Sequence, residues 1–236
     1  MPCKTRKRNN LDNYGMQADP VTFSVRCIGV LACCFLLVAC SNAYYSAMEQ
    51  VGIHKRNILV DRVEDARDSQ EDAKQQFSSA LEQFSALLDF DGGDLQTIYN
   101  SLEKEFESSE QRANEVRDRI EAVESVSEAL FEEWEDELEL YTSQSLRQAS
   151  ENTLNETRTR YGQMIASMHA AEAKMEPVLN AFRDQVLFLK HNLNSRAIAS
   201  LRTELVSIEG DISQLIKDMQ ASIDESNRFL SEMESL

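Results

Sequence analysis

The chain has few of the residues that interrupt or cross-link a fold. It contains only 7 glycines and 3 prolines in 236 residues, and such a scarcity of helix breakers favours long helices over a sheet rich in turns. The five cysteines are Cys3, Cys27, Cys33, Cys34 and Cys40. Since no cysteine follows Cys40, the rest of the chain cannot form an internal disulfide, a thiolate zinc site or a cysteine nucleophile.

Basic side chains are also in short supply. The chain has 24 Lys and Arg against 41 Asp and Glu, which gives a formal charge of −17. Five basic and two acidic side chains lie in residues 1–39, so residues 40–236 carry 19 basic and 39 acidic side chains and a charge of −20. This balance excludes nucleic acid as a partner, because binding to phosphates needs the opposite sign.

A short apolar stretch near the N-terminus resembles a secretion signal. Residues 27–39 are predominantly apolar and follow five basic residues, and they are fewer than the ~20 that span a membrane. The stretch runs into Leu37–Cys40, whose sequence LVAC resembles the lipobox at which a lipoprotein signal peptide is removed. We therefore predict a signal peptide at residues 1–39 and a domain at residues 40–236 that begins with a lipidated Cys40.

Details of this segment leave alternatives open. Met16 is an alternative start, and an uncleaved anchor or ordinary secretion are alternatives to lipidation. Ser41 follows the cysteine, and the lack of Asp there resembles lipoproteins exported to the outer membrane. We expect acyl chains such as palmitate on Cys40 to hold the protein at the periplasmic face of the outer membrane.

Apolar residues recur along four successive runs in steps of three and four. The runs extend from Leu59 to Leu87, from Leu95 to Trp134, from Leu154 to Leu189 and from Ile198 to Met233. This heptad pattern predicts helices that share a coiled-coil-like seam. Further apolar residues beside the seam widen it and favour a bundle over a two-stranded coil.

The predicted fold is all-α. We expect helices over residues 44–89, 94–143, 145–193 and 195–235, joined by short connections that make neighbouring helices antiparallel. At ~1.5 Å per residue these lengths predict an elongated four-helix bundle.

Local signals place the ends of these helices. Asp94 follows two glycines and is suited to cap the second helix. Ser145 and Gln148 resemble a capping box for the third helix, although a continuous helix through this stretch is an alternative. Pro177 cannot donate a hydrogen bond to Ala173, so we predict a kink inside the third helix.

The acidic run Glu132–Glu139 is the strongest charge feature, and it suits either a solvated helix face or a basic partner. In an antiparallel hairpin that turns near residue 92, residues at one level have numbers that add to about 184. This places the run close to Lys55 and Arg56, and a second turn near 144 brings Arg158 and Arg160 close to it. We hypothesise that these four cations partly neutralise the run.

Other candidate sites have simpler interpretations. The three histidines, His54, His169 and His191, are far apart in sequence and no Glu-x-x-His occurs, so we expect no metal site and no cofactor. Asp89, Asp91 and Asp94 resemble a calcium-binding loop, but Asn100 stands where the bidentate Glu belongs, so helix termination is the preferred interpretation.

Serines on the seams, at 109, 127, 222 and 226, are interpreted as packing positions and not as nucleophiles. The methionines at 164, 168 and 175 are interpreted as core residues and not as a peptide groove.

Three stretches resemble a known family. They are residues 54–67 (HKRNILVDRVEDAR), 89–94 (DFDGGD) and 183–201 (RDQVLFLKHNLNSRAIASL). They resemble a lipoprotein family of Gram-negative bacteria called domain of unknown function 2959, over essentially the whole mature chain. The resemblance implies a helical envelope protein, but it implies no activity and no functional residues.

These observations favour a lipid-anchored, non-enzymatic bundle that acts as a spacer or protein-interaction module in the cell envelope. We expect the membrane, through acylated Cys40, and an envelope protein as partners, and no small-molecule substrate. The first alternative is a lipid-handling protein whose amphipathic helices bind acyl chains. A hydrolase is a more distant alternative, because it would need polar groups that converge within the bundle.

Overall fold

A computed structural model describes residues 54–86, 94–192 and 195–234 of this chain. The predicted signal peptide, its lipobox and Cys40 lie outside the described residues, as do Asp89 and Asp91. The described residues all belong to one unit, Tyr45–Leu236.

The described part of the chain consists of five helices and contains no strand. They are α1 (Lys55–Ala86), α2 (Leu95–Leu138), α3 (Gln144–Glu172), α4 (Met175–His191) and α5 (Ser195–Glu234). Helices α3 and α4 follow each other closely and together take the place of the predicted third helix. The predicted all-α bundle of four helical rods is therefore confirmed.

Each of the four rods runs antiparallel to its neighbours in the chain, with α3 and α4 together counted as one rod. Arg112 contacts Asp72 at 3.2 Å and Arg119 contacts Asp65 at 3.3 Å, and both pairs of residue numbers add to the predicted 184. Helix α1 also packs against α5, with the end of α1 beside the first half of α5, where Ser85 donates to Glu209 at 3.1 Å. Helices α3 and α4 complete the bundle by packing against both α2 and α5.

The core follows the predicted seams along the bundle. Every position of the four heptad runs whose side chain is described is buried or partly buried. Phe84 of α1 and Phe182 of α4 lie on diagonally opposite rods, and their rings stack at a centroid distance of 4.5 Å. Aromatic rings in such contact contribute more than their buried area alone, so this pair ties the two rods across the centre.

One buried polar pair interrupts the apolar core. The hydroxyl of Ser222 donates to Oε1 of Gln70 at 3.0 Å, and both residues are fully buried. The Nε2 atom of Gln70 has no hydrogen-bond partner among the described residues. A polar residue on a seam of this kind costs stability, but it favours one register of α1 against α5.

Two helix boundaries differ from the predictions. Helix α1 begins at Lys55, since His54 is not helical and its carbonyl accepts from the amides of Asn57 and Ile58. The prediction of an unbroken helix from residue 44 is therefore wrong at His54. Helix α2 ends at Leu138 and not at 143, because the amides of the next two residues bond to carbonyls only three residues back or fewer.

The predicted cap is correct for α2 and wrong for α3. Asp94 caps α2 as predicted, and its side chain accepts from the amide of Gln96 at 3.0 Å. Helix α3 is capped by Ser143, which accepts from the amide of Leu146, so the predicted cap at Ser145 is wrong by two residues. A turn separates α2 from α3, so the alternative of a continuous helix is excluded.

The predicted kink near Pro177 is a two-residue interruption between α3 and α4, at Ala173 and Lys174, which both keep right-handed helical dihedral angles. Helix α3 ends at Glu172 and α4 begins at Met175, so Pro177 lies in the first turn of the new helix. In that turn an amide hydrogen has no partner within the helix, and proline is tolerated there. The carbonyl of Ala173, which Pro177 cannot engage, falls at the break itself.

Candidate functional site

The bundle has two ends, and each contains the first or last turns of several helices. At the end that we call the proximal end, α1 begins, α2 ends, α3 begins and α5 ends. There the guanidinium of Arg56 donates to the carbonyl of Met233, and Nζ of Lys55 lies 3.0 Å from Glu133. The opposite end, which we call the distal end, contains the last turn of α4 and the first turns of α2 and α5. The proximal end concentrates the features that sequence analysis singled out.

A small aromatic and aliphatic cluster forms the base of the proximal end. It consists of Phe131, Leu138 and Leu154, with Trp134 and Tyr161 packed against them. The indole Nε1 of Trp134 donates to Ser150 at 2.8 Å, which joins the last turns of α2 to the start of α3. Trp134 is half-buried on the seam, as predicted.

Three of the six carboxylates in the acidic run Glu132–Glu139 form ion pairs within the bundle. Lys55 contacts Glu133, Arg158 contacts Glu135 and Arg147 contacts Glu139 at 2.6 Å. The hypothesis of internal neutralisation is therefore confirmed for Lys55 and Arg158. Sequence reasoning missed Arg147, although it lies in the first turn of α3 and thus close to the end of α2.

The hypothesis is wrong for two of the four predicted cations. Arg160 contacts Glu232 of α5 at 3.1 Å, and Arg56 bonds to the carbonyl of Met233. Arg160 is two residues beyond Arg158, and two residues on a helix differ by about 200° in direction. Arg160 therefore points towards the other neighbour of α3.

The contact between Arg158 and Glu135 shifts the pKa of both groups. The hydrogen bond from Arg158 lowers the pKa of Glu135, and the same hydrogen bond raises the pKa of Arg158. The guanidinium carbon of Arg158 also lies 5.1 Å from the centroid of the Phe131 ring, at cation–π distance. Arg158 thus connects the acidic run to the aromatic cluster below it.

His169 is the histidine with the most elaborate surroundings. Its Nε2 lies 2.9 Å from Glu124 and its Nδ1 lies 3.1 Å from Glu172, and Arg117 contacts Glu172 at 3.3 Å. Its pKa is raised above the ordinary value, chiefly by the hydrogen bond to Glu124 and further by the hydrogen bond to Glu172. Across the described ranges, no group of three or more His, Cys, Asp or Glu side chains is arranged to hold a metal ion.

The seam serines and the methionine stripe are packing residues, as interpreted from the sequence. Ser109, Ser127 and Ser226 are buried, and each donates to a carbonyl of its own helix at 2.8 to 2.9 Å. The three methionines, Met164, Met168 and Met175, are fully buried in the core. Neither set is available as a nucleophile or as a peptide-binding groove.

Sequence reasoning missed an exposed apolar surface at the proximal end. Leu140, Tyr141 and Leu146 flank the turn between α2 and α3, and their exposed fractions are 78%, 42% and 60%. We call these three residues the apolar tip. A signal for it exists in the sequence, because the heptad slips by one residue between Tyr141 and Leu154. A slip of one residue removes an apolar side chain from the seam.

The distal half of the bundle has a cavity between α4 and α5. Its volume is about 530 Å³, and its lining is apolar at Ala181, Phe188, Leu201 and Ile208 and acidic at Asp184 and Asp211. Phe188 is itself 40% exposed at the surface. The volume falls in the range of small-molecule sites, which is typically ~300–1,000 Å³.

Comparison with known proteins identifies a family and no activity. The family model described as "Protein of unknown function (DUF2959)" matches residues 44–233. No curated protein matches the chain significantly. In the part of the chain that the structure describes, no helix is both long and apolar enough to cross a membrane.

The pair between Arg158 and Glu135 allows a charge-swap test of internal neutralisation. We expect Arg158→Glu to lower the free energy of unfolding at low salt, because it places a seventh carboxylate beside the six of the run. The combined swap Glu135→Arg and Arg158→Glu should recover part of the loss. Because Glu135 is exposed to solvent, the pair itself contributes little, and the like-charge contact created by the single change carries the expected effect.

Urea unfolding of these variants at low salt and at ~1 M salt, where charges are screened within about 3 Å, measures the effect. Lys104→Glu is the control, since Lys104 is exposed on α2 and forms no ion pair among the described residues. If Arg158→Glu and Lys104→Glu cost the same, or if the swap recovers nothing, the pairing does not stabilise the bundle.

The raised pKa of His169 predicts that the free energy of unfolding depends on pH. Its folded-state pKa is raised, so its protonated form stabilises the fold fully below the unfolded value of 6.5, and this contribution is lost as pH rises through the folded pKa. We expect His169→Gln to destabilise the protein more at pH 5.5 than at pH 9, by less than about 1 kcal/mol, since His169 is partly exposed. Unfolding at both pH values, with an NMR titration of the ring, measures this. Equal losses at the two pH values would contradict it.

Proposed function

This chain belongs to the family described as "Protein of unknown function (DUF2959)", and we propose that it is a lipid-anchored, non-enzymatic envelope protein. In this proposal Cys40 carries the acyl chains and the helical bundle acts as a spacer or protein-interaction module. The site of action is the periplasmic face of the outer membrane.

The observation that carries the proposal is the position of the first helix. Helix α1 begins at Lys55, so only residues 41–54 separate it from Cys40, and α1 begins at one end of the bundle. The longest helix, α2, has 44 residues and is therefore ~66 Å long. An anchor attached at one end of helices of this length supports a role in which the distal end reaches away from the membrane.

The use of charged side chains in the bundle supports a structural role. The acidic run is engaged by Lys55, Arg147 and Arg158, and the ring of His169 is engaged by two carboxylates. These contacts hold helices together. Beyond them, the remaining acidic surface is suited to an envelope protein with a basic face.

A second candidate function is lipid handling, and the cavity between α4 and α5 favours it. Its apolar lining suits an acyl chain, and Asp184 and Asp211 at the same cavity suit a polar or cationic headgroup. Such a role is compatible with an anchor at Cys40, because the cavity lies towards the distal end.

Lipidation at Cys40 is the first consequence to measure. Cells that express the full chain and are fed labelled palmitate should incorporate the label into the wild type, and Cys40→Ser should abolish incorporation. Cys34→Ser is the matched control, because residue 34 lies inside the predicted signal peptide and should leave labelling unchanged. Equal labelling of the wild type and Cys40→Ser would refute the proposal.

The lipid-handling alternative predicts a bound lipid in addition to any covalent one. Native mass spectrometry of the full chain after gentle extraction should then show a lipid adduct, and Ala181→Trp, which fills the cavity, should lose it. Asn180→Trp provides the control, because Asn180 is exposed and does not line the cavity. A wild type without an adduct would count against lipid handling and leave the spacer role.

A further inference from the structure

We propose that the apolar tip, Leu140, Tyr141 and Leu146, is a second membrane contact that inserts into the headgroup region of a zwitterionic phospholipid surface. This inference rests on the proposed anchor at Cys40. It assigns a specific task to the proximal end, which is to fix the direction in which an anchored bundle stands.

The tip is a defined structure and not a loose connection. Leu140 donates its amide to the carbonyl of Glu137 at 3.0 Å, and Ser143 caps the next helix. Beneath the tip, Leu138 and Leu154 are buried in the aromatic cluster. The apolar side chains of the tip are therefore held outward by a packed base.

The tip groups exposed apolar side chains within a short stretch of sequence. In the described residues only six large apolar side chains are prominently exposed, and three of them belong to the tip, within seven positions of sequence. Leu140 is the most exposed of the six, at 78%. Tyr141 adds an aromatic ring with a polar hydroxyl, a side chain that favours the boundary between headgroups and acyl chains.

The chain outside the described residues arrives at the same end as the tip. Lys55, the first residue of α1, contacts Glu133. Glu133 lies only five residues before Leu138, which is buried beneath the tip. Residues 41–54, which separate Cys40 from Lys55, are fourteen in number and span at most about 50 Å when fully extended. This reach is shorter than the ~66 Å of α2, so an anchored bundle cannot stand upright on its distal end. The anchor keeps the tip near the bilayer at a high effective concentration.

The charge beside the tip selects the kind of lipid surface. The run Glu132–Glu139 contains six carboxylates in eight residues and adjoins Leu140 directly. An anionic surface would repel it, while a zwitterionic surface such as phosphatidylethanolamine would not. Arg147, paired with Glu139 at 2.6 Å, reduces the negative charge closest to the tip.

A depth measurement with tryptophan tests the proposal. The chain contains a single tryptophan, Trp134, so Trp134→Phe provides a background free of that signal. In this background Tyr141→Trp reports on the tip, and Phe188→Trp is the matched reporter on the distal half, where Phe188 is also partly exposed. Each full-length lipidated protein is reconstituted into vesicles of phosphatidylethanolamine and phosphatidylcholine with or without bromine on the acyl chains.

Bromine quenches indoles that reach the acyl boundary, and interfacial insertion is roughly 5–10 Å deep. We expect the tip reporter to lose roughly half of its emission in brominated vesicles and the distal reporter to lose almost none. Adding Leu140→Ser and Leu146→Ser should reduce quenching at the tip to the distal level. The vesicle-bound fraction should stay unchanged, because Cys40 still provides the anchor.

The outcomes separate this inference from the proposed anchor. If the lipidated protein binds vesicles and the tip reporter is not quenched, the tip inference is overturned and the anchor stands. If the protein with an intact Cys40 does not bind vesicles, the proposed anchor itself fails. Equal quenching of both reporters would mean that the bundle lies flat, which overturns a contact specific to the tip. Blue-shifted tip emission without vesicles would identify a second copy or a protein partner as the occupant, and this also overturns it.

Discussion

Burial of continuous apolar seams is the interaction on which the rest of this structure depends. An isolated helix in water gains little from its own propensity, so helices of 29 to 44 residues need a partner surface along their length. Here each rod supplies a seam of residues three and four apart, and the four seams meet in one core. Phe84 stacked on Phe182 shows that the packing extends across the diagonal of the bundle.

Once the seams are in contact, the levels of all outer residues follow. Antiparallel pairing of α1 and α2 sets residues whose numbers add to 184 beside each other, and this places Arg112 next to Asp72 and Arg119 next to Asp65. These ion pairs are exposed and individually weak. Together they reduce the repulsion that a strongly acidic surface imposes on neighbouring helices. The packing of the apolar seams therefore decides which charged side chains meet, and the ion pairs do not decide how the seams pack.

The two ends of the bundle differ in a way that bears on function. The proximal end has an acidic run paired with cations, an aromatic base and the apolar tip, and it is the end at which α1 begins. The distal half has the cavity between α4 and α5 and the other three prominently exposed apolar side chains, Leu187, Phe188 and Val206. A protein held through its N-terminus would thus present chemically different surfaces towards the membrane and away from it.

The sequence by itself determined the helical class, the core and several boundaries. Heptad spacing is a local property, and it identified the seam positions from Leu59 to Met233 because helix geometry alone decides which side chains share a face. The cap at Asp94 and the break before Pro177 were predictable for the same reason, since both depend on hydrogen bonds between residues close in sequence.

Only the tertiary structure decided that α1 packs against α5 and which side chains meet between the rods. Arg158 and Arg160 have the same charge and lie two residues apart, yet one contacts α2 and the other α5, because the helix directs them to opposite neighbours. The cap at Ser143 in place of Ser145 and the exposure of Leu140 depend on how α2 and α3 meet at their turn. Such choices are set by packing between helices, and packing of this kind is not encoded in any single stretch of sequence.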